Sequence, residues 1–164
     1  MKRLLLPLLF LLTAITACRR LPDVQGNGSA FLQGIWSQDS VANADKLLSF
    51  TKHKFKFTCD SFYVDLSTYA KVNYYAESCY NNGIWKEYAK GVYEVRNDTL
   101  FLLGTWTKAD YKQKISGCYN IGQYIKSFKI KSSVPGHLLM ESTDNQSELA
   151  LVLKQQITCK PKSL

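Results

Sequence analysis

The stretch Val92-Tyr93-Glu94-Val95-Arg96-Asn97-Asp98-Thr99-Leu100-Phe101-Leu102-Leu103 decides the fold. Its two arms alternate in polarity and meet at Asn97-Asp98, whose short polar side chains tolerate the positive φ that a two-residue turn demands. Counted outward from that turn, Val95/Leu100, Tyr93/Leu102 and Gly91/Gly104 share one face, because side chains alternate along a strand. That face is predicted to be buried. Arg96/Thr99, Glu94/Phe101 and Val92/Leu103 share the other, mixed in polarity near the turn, as when one side of an antiparallel pair meets water.

Outward from this hairpin the signals remain those of strands. Lys52-His53-Lys54-Phe55-Lys56-Phe57 alternates strictly, sending three lysines to water and His53, Phe55 and Phe57 inward, within an extended segment from Leu47 to Thr58. Further segments are read at Phe31 to Ser37, Ser61 to Thr68, Lys112 to Ser116, Gln123 to Lys131, His137 to Ser142 and Glu148 to Gln155. Tyr69 to Gly83 is less regular and reads as a loop or a short helical turn. With the hairpin arms this makes nine candidate strands, short turns and no amphipathic helix, which predicts an all-β antiparallel meander. Closure into a single eight- or nine-stranded barrel removes the unpaired edges such a sheet would expose. Residues 31–164 carry no Pro/Gly-rich break and are read as one domain.

Ahead of that domain, Met1-Lys2-Arg3 leads an apolar run from Leu4 to about Ile15, the pattern of a secretory signal and too short for a membrane span of roughly 20 residues. The ending Ile15-Thr16-Ala17-Cys18 resembles the lipobox of bacterial lipoproteins. That resemblance implies that residues 1–17 are removed and that Cys18 is acylated, anchoring the protein to a membrane it does not span. Arg19 follows the Cys instead of an acidic retention or export signal, which resembles the pattern of outer-membrane lipoproteins facing the periplasm. From Arg19 to Ala30, Pro22, Gly26, Asn27, Gly28 and Ser29 punctuate a polar stretch read as a flexible tether with a reach of about 20 Å.

The chain carries 21 Lys+Arg against 13 Asp+Glu; without Lys2 and Arg3 the formal charge falls from +8 to +6. No Lys/Arg block marks a nucleic-acid partner. Dispersed lysines keep a protein soluble, and a moderate excess also favours anionic envelope surfaces. Besides Cys18 there are four cysteines, Cys59, Cys79, Cys118 and Cys159, an even number in an exported chain that reads as two disulfides with three possible connectivities. None lies at C-x-x-C spacing, and the histidines are His53 and His137 alone, so no metal and no cofactor are expected.

Catalytic constellations are equally thin. His53 sits beside Phe55 and Phe57 with no orienting carboxylate or nucleophile in the pattern, and reads as a core histidine. Asp60 with Asp65, or Glu87 with Glu94, have the residue types of a glycosidase acid/base pair, as do many pairs in a chain with 13 acidic residues. Tyr69, Tyr74, Tyr75, Tyr80, Trp85 and Tyr88 crowd one region and suit a barrel rim or a recognition surface. No catalytic residue is assigned.

Gly34-x-Trp36 on the first strand, followed by a meander, resembles the lipocalin or calycin barrels, in which that Trp plugs the closed end. Trp85-Lys86-Glu87-Tyr88, Gly91-x-Tyr93, Asn97-Asp98-Thr99-Leu100, Gly117-Cys118-Tyr119 and Cys159-Lys160-Pro161-Lys162 are similar to small lipocalin-like lipoproteins of Bacteroidota type. The Thr-Asp-Tyr segment of true lipocalins and a helix before the last strand are absent. The resemblance implies a lipid-anchored, non-enzymatic lipocalin-like barrel that binds a small apolar ligand or acts through its surface. Trp36, Phe55, Phe57, Tyr93, Leu100 and Leu102 are then the candidate cavity lining. An envelope inhibitor or protein/glycan interaction module is the alternative, and a small hydrolase the least favoured. With nine strands alternating up and down, Cys59 and Cys118 fall at one end of the barrel and Cys79 and Cys159 at the other, which favours Cys59–Cys118 and Cys79–Cys159.

Overall fold

A computed structural model describes residues 25–162. Eight strands, β1 (Gly34–Ser37), β2 (Ser49–Thr58), β3 (Ser61–Ala70), β4 (Ile84–Arg96), β5 (Thr99–Thr107), β6 (Gln123–Val134), β7 (His137–Ser142) and β8 (Glu148–Gln156), form an antiparallel meander. Pairing of β1 with β8 closes it into a barrel. The β4–β5 hairpin has the register its sequence predicts: Arg96 opposes Thr99, Val95 Leu100, Tyr93 Leu102 and Gly91 Gly104. Asn97 and Asp98 both take positive φ (48° and 58°), matching the right-handed twist of the arms. Leu100 and Leu102 are buried whereas Val92 and Leu103 are exposed.

One expected strand is not there. Lys112 to Ser116 makes a single bridge, Thr107 to Gln113, and otherwise belongs to the connection 108–122 between β5 and β6. Removing that strand reverses the direction of every later one, and with it the disulfide pairing. Cys59, in the turn between β2 and β3, meets Cys159 beyond β8; Cys79 and Cys118 meet at the opposite end. The Cys59–Cys118 and Cys79–Cys159 expectation is therefore corrected to Cys59–Cys159 and Cys79–Cys118.

The two ends of the barrel differ. Tight turns at 59–60, 97–98 and 135–136 close one end, and the segment from Gln25 folds across it. The Gln25 N–H donates to the Lys162 carbonyl (2.9 Å), Gln25 Nε2 to Ser61 Oγ (2.7 Å), Gly26 N–H to Asp60 Oδ2 (2.9 Å) and Ser29 N–H to the Tyr93 hydroxyl (3.0 Å). The tether expected to run to Ala30 is thus docked from Gln25 onward. Gln33, buried at the same end, joins these pieces. Its Nε2 donates to the Cys59 carbonyl and to Tyr93 Oη (both 2.8 Å), and its Oε1 accepts the Cys59 N–H (2.7 Å). Gly34 then enters β1 with φ +155°, where a Cβ would lie 2.6 Å from Leu153 Cδ1 and 2.7 Å from the Gln155 carbonyl. Its lack of a side chain lets β8 close over β1. Two positions on, the buried Trp36 indole donates to the Leu32 carbonyl (2.7 Å) and plugs this end.

Candidate functional site

The barrel interior changes character along its axis. Read from the closed end, the inward residues of β2 are Phe57, Phe55, His53 and Thr51, and those of β3 are Phe62, Val64, Leu66 and Thr68. On β4 they run from Tyr93 through Ala89 to Glu87, and on β7 from Leu138 through Met140 to Ser142. The closed half is filled by large buried side chains, with Phe55 and Phe57 stacked at 5.5 Å and Tyr93 edge-on to Phe57 at 5.0 Å. The other half opens into a cavity of about 590 Å³. Its floor and walls combine Leu66, Trp106, Tyr124, Phe128 and Leu149 with Gln38, His53, Thr68, Glu87, Lys126 and Ser142.

The six residues expected to line a cavity, Trp36, Phe55, Phe57, Tyr93, Leu100 and Leu102, all point inward, and none of them touches it. They make the solid half of the barrel. Strand alternation assigns a side chain to inside or outside but carries no information on depth. The polar part of the cavity lining is marked in the sequence only by polar side chains at inward positions, a pattern that His53, Thr68, Glu87, Lys126 and Ser142 share.

His53 is held from one side. Gln38 Oε1 accepts both the His53 backbone N–H (3.3 Å) and a bond from Nδ1 (3.2 Å). A backbone N–H can only donate, so the amide oxygen of Gln38 faces the ring and Nδ1 carries the proton. Burial, helped by the charge of Lys126 and opposed by a backbone hydrogen bond at Thr51, lowers the His53 pKa to about 4. The ring is neutral at pH 7. Lys126 is itself bonded to Asp144 at the rim, Nζ to Oδ2 at 2.6 Å.

Glu87 is the buried carboxylate of the wall, 8% exposed. Its Oε1 accepts the Asn120 N–H (3.0 Å) and Nδ2 (2.9 Å), and its Oε2 accepts the Trp85 indole at 3.3 Å. All three donors are neutral, and no ion pair among the described residues includes Glu87. Burial first, and the Glu87 charge second, push the Tyr75 and Tyr119 hydroxyls up.

Those tyrosines belong to a clasp over one side of the mouth. Tyr119 stacks on Trp85 (5.0 Å, 11°) and Tyr75 stands edge-on to both rings. The Tyr119 hydroxyl donates to the Cys79 carbonyl, beside the Cys79–Cys118 disulfide that ties connection 71–83 to connection 108–122. Of the aromatic group noted in the sequence, Tyr75 and Trp85 meet here. Tyr69 stacks on Phe50, Tyr80 donates to the Ala70 carbonyl, and Tyr88 packs edge-on to Tyr111, outside the barrel.

The carboxylate pairs are not brought together. Asp60 caps Gly26 at the closed end while Asp65 accepts the Tyr111 hydroxyl on the outer wall, and Glu94 lies outside the barrel against Arg96 while Glu87 lies inside. No protein-family model, curated protein or solved structure matches the chain.

Proposed function

We propose that this protein is a lipid-anchored, non-enzymatic envelope barrel that carries a small amphipathic molecule in the cavity at its open end. The cavity itself carries the reading: about 590 Å³ is within the range of small-molecule sites, and the wall mixes apolar surface with a few fixed polar groups. The apolar ligand expected from the sequence gives way to one with both characters, because Gln38, His53, Thr68 and Glu87 sit among the rings.

The anchor, Cys18, lies outside the described residues. Gln25 is docked at the closed end, and the chain from Cys18 to Gln25 spans at most about 25 Å. An acylated Cys18 then sets the closed end against the lipid and turns the cavity mouth toward the aqueous phase. Outer-membrane attachment facing the periplasm follows the lipobox and Arg19.

Native mass spectrometry of the protein extracted from its own membranes tests the reading. A bound mass of a few hundred daltons, lost on denaturation, is expected in addition to acyl chains on Cys18. An unoccupied barrel would overturn it and favour the interaction-module alternative. For that alternative the specific feature is the outer-face row Val92, Leu103 and Ile125, in register across β4, β5 and β6 and each more than half exposed.

A further inference from the structure

We infer that the cavity ligand is an organic cation, a protonated or quaternary amine on an apolar body, whose charged nitrogen is held at Glu87. The inference rests on the carrier reading and deepens it. A buried carboxylate is costly unless a positive charge or a full set of donors compensates it. Among the described residues Glu87 has three neutral donors, and its Oε2 has only the 3.3 Å contact from Trp85. A carboxylate offers about four acceptor sites, so capacity remains on the oxygen that lacks a short bond.

The rest of the wall selects the same charge. Asp144 and Glu148 also border the cavity, and the single cation on it among the described residues, Lys126, is already paired with Asp144 at 2.6 Å. His53 adds no charge at neutral pH. The wall is therefore net acidic in a protein whose sequence is net basic, at +8. An anionic ligand would meet repulsion, and a neutral one would leave Glu87 uncompensated. Trp106 and Tyr124, edge-to-face at 4.9 Å, and Phe128 supply ring surface for the apolar body and ring faces that attract a cation.

The test uses the mature protein with both disulfides intact, titrated calorimetrically with four probes of one shape: 2-phenylethylamine, its trimethylammonium analogue, 2-phenylethanol and 3-phenylpropanoate. Both cations are expected to bind about tenfold or more tighter than the alcohol, and the carboxylate more weakly still. Glu87→Gln keeps an acceptor for Asn120 and Trp85 while removing the charge. It should cost the cations about tenfold and leave the alcohol unchanged. Lys126→Met, at the rim, should shift cation affinity the other way, upward by about threefold, and serves if Glu87→Gln fails to fold. Equal binding of amine and alcohol, cation affinity indifferent to both substitutions, or binding of none of the four probes would overturn the inference. A neutral or anionic mass retained in native spectra would overturn it while sparing the carrier reading; an unoccupied barrel would remove both.

Discussion

Replacing Gln33 with Leu should destabilise the barrel without unfolding it. In the native protein, Gln33 Nε2 donates to the Cys59 carbonyl and to Tyr93 Oη, and Oε1 accepts the Cys59 N–H. Cys59 is 1% exposed, so Gln33→Leu strands a buried donor and a buried acceptor that water cannot reach. Each unsatisfied group costs about 1–3 kcal/mol, and the added apolar burial returns about 1 kcal/mol, leaving a net loss of about 1–5 kcal/mol. Urea unfolding followed by tryptophan fluorescence should show the midpoint fall with an unchanged slope. Gln33→Glu sharpens the reasoning. Its carboxylate still accepts the Cys59 N–H, but its second oxygen faces the Cys59 carbonyl that Nε2 served, so at pH 7 it should be at least as destabilised. Once protonated, that oxygen donates again. The folded pKa of the introduced Glu is then raised above its unfolded value. Its stabilisation is present below about pH 4.3 and lost as pH rises through the folded value. A Gln33→Leu loss below about 0.5 kcal/mol, or a Gln33→Glu deficit independent of pH, would refute the argument.

Other outcomes follow from features at the two ends and in the cavity. His53 is depressed from 6.5 to about 4, so its contribution is intact above pH 6.5 and lost as pH falls toward 4, on the order of 3 kcal/mol. His53→Leu should flatten the stability profile over that window, and an identical slope in both proteins would show that the ring titrates normally. Peptide mapping without reduction should recover Cys59 with Cys159 and Cys79 with Cys118; a Cys59–Cys118 peptide would contradict the strand count. The double substitution Cys79→Ser with Cys118→Ser opens a 39-residue separation and should cost up to about 4 kcal/mol in a chain-entropy treatment, read as a lower thermal midpoint. Gly34→Ala should cost about 1–3 kcal/mol or more, because the new methyl meets Leu153 and the Gln155 carbonyl at φ +155°; a neutral effect in the same melt would mean that β8 moves aside freely.

The parts of the fold visible in the sequence are those fixed by near neighbours. Asn97-Asp98 sets the hairpin register because a two-residue turn leaves one pairing, and the alternation Lys52 to Phe57 marks a strand because only a sheet has that period. Where one local pattern has two physical causes, the reading fails. Lys112 to Ser116 is read as a strand, but Tyr111 is drawn out to Asp65, Tyr63 and Tyr88 on the outer wall, and the segment follows it off the barrel. One strand fewer also reverses both disulfide pairings. The cavity was hidden for another reason: Phe55 and His53 have the same inward parity, and only the length of chain between each and the closing turns separates solid core from open mouth. Gln33 gave no periodic signal, since its role depends on meeting Cys59 and Tyr93 from distant strands.

The pairing of β1 with β8 has a consequence for how the chain reaches its native state. Six of the eight strand contacts join strands linked by a turn or short connection from β2 onward, and β1 joins β2 in the same way, so these can form as the chain lengthens. The last seam, Trp36 against Leu153, cannot form until the final strand is available. Long-range closure of this kind slows folding and prolongs the exposure of unpaired edges. Cys59 waits through that interval with Cys79 and Cys118 as premature partners, because its own partner lies 100 residues downstream. Its oxidation is therefore a chemical timestamp for closure, and a chain trapped with Cys59 bonded elsewhere needs thiol exchange before the seam can be sealed.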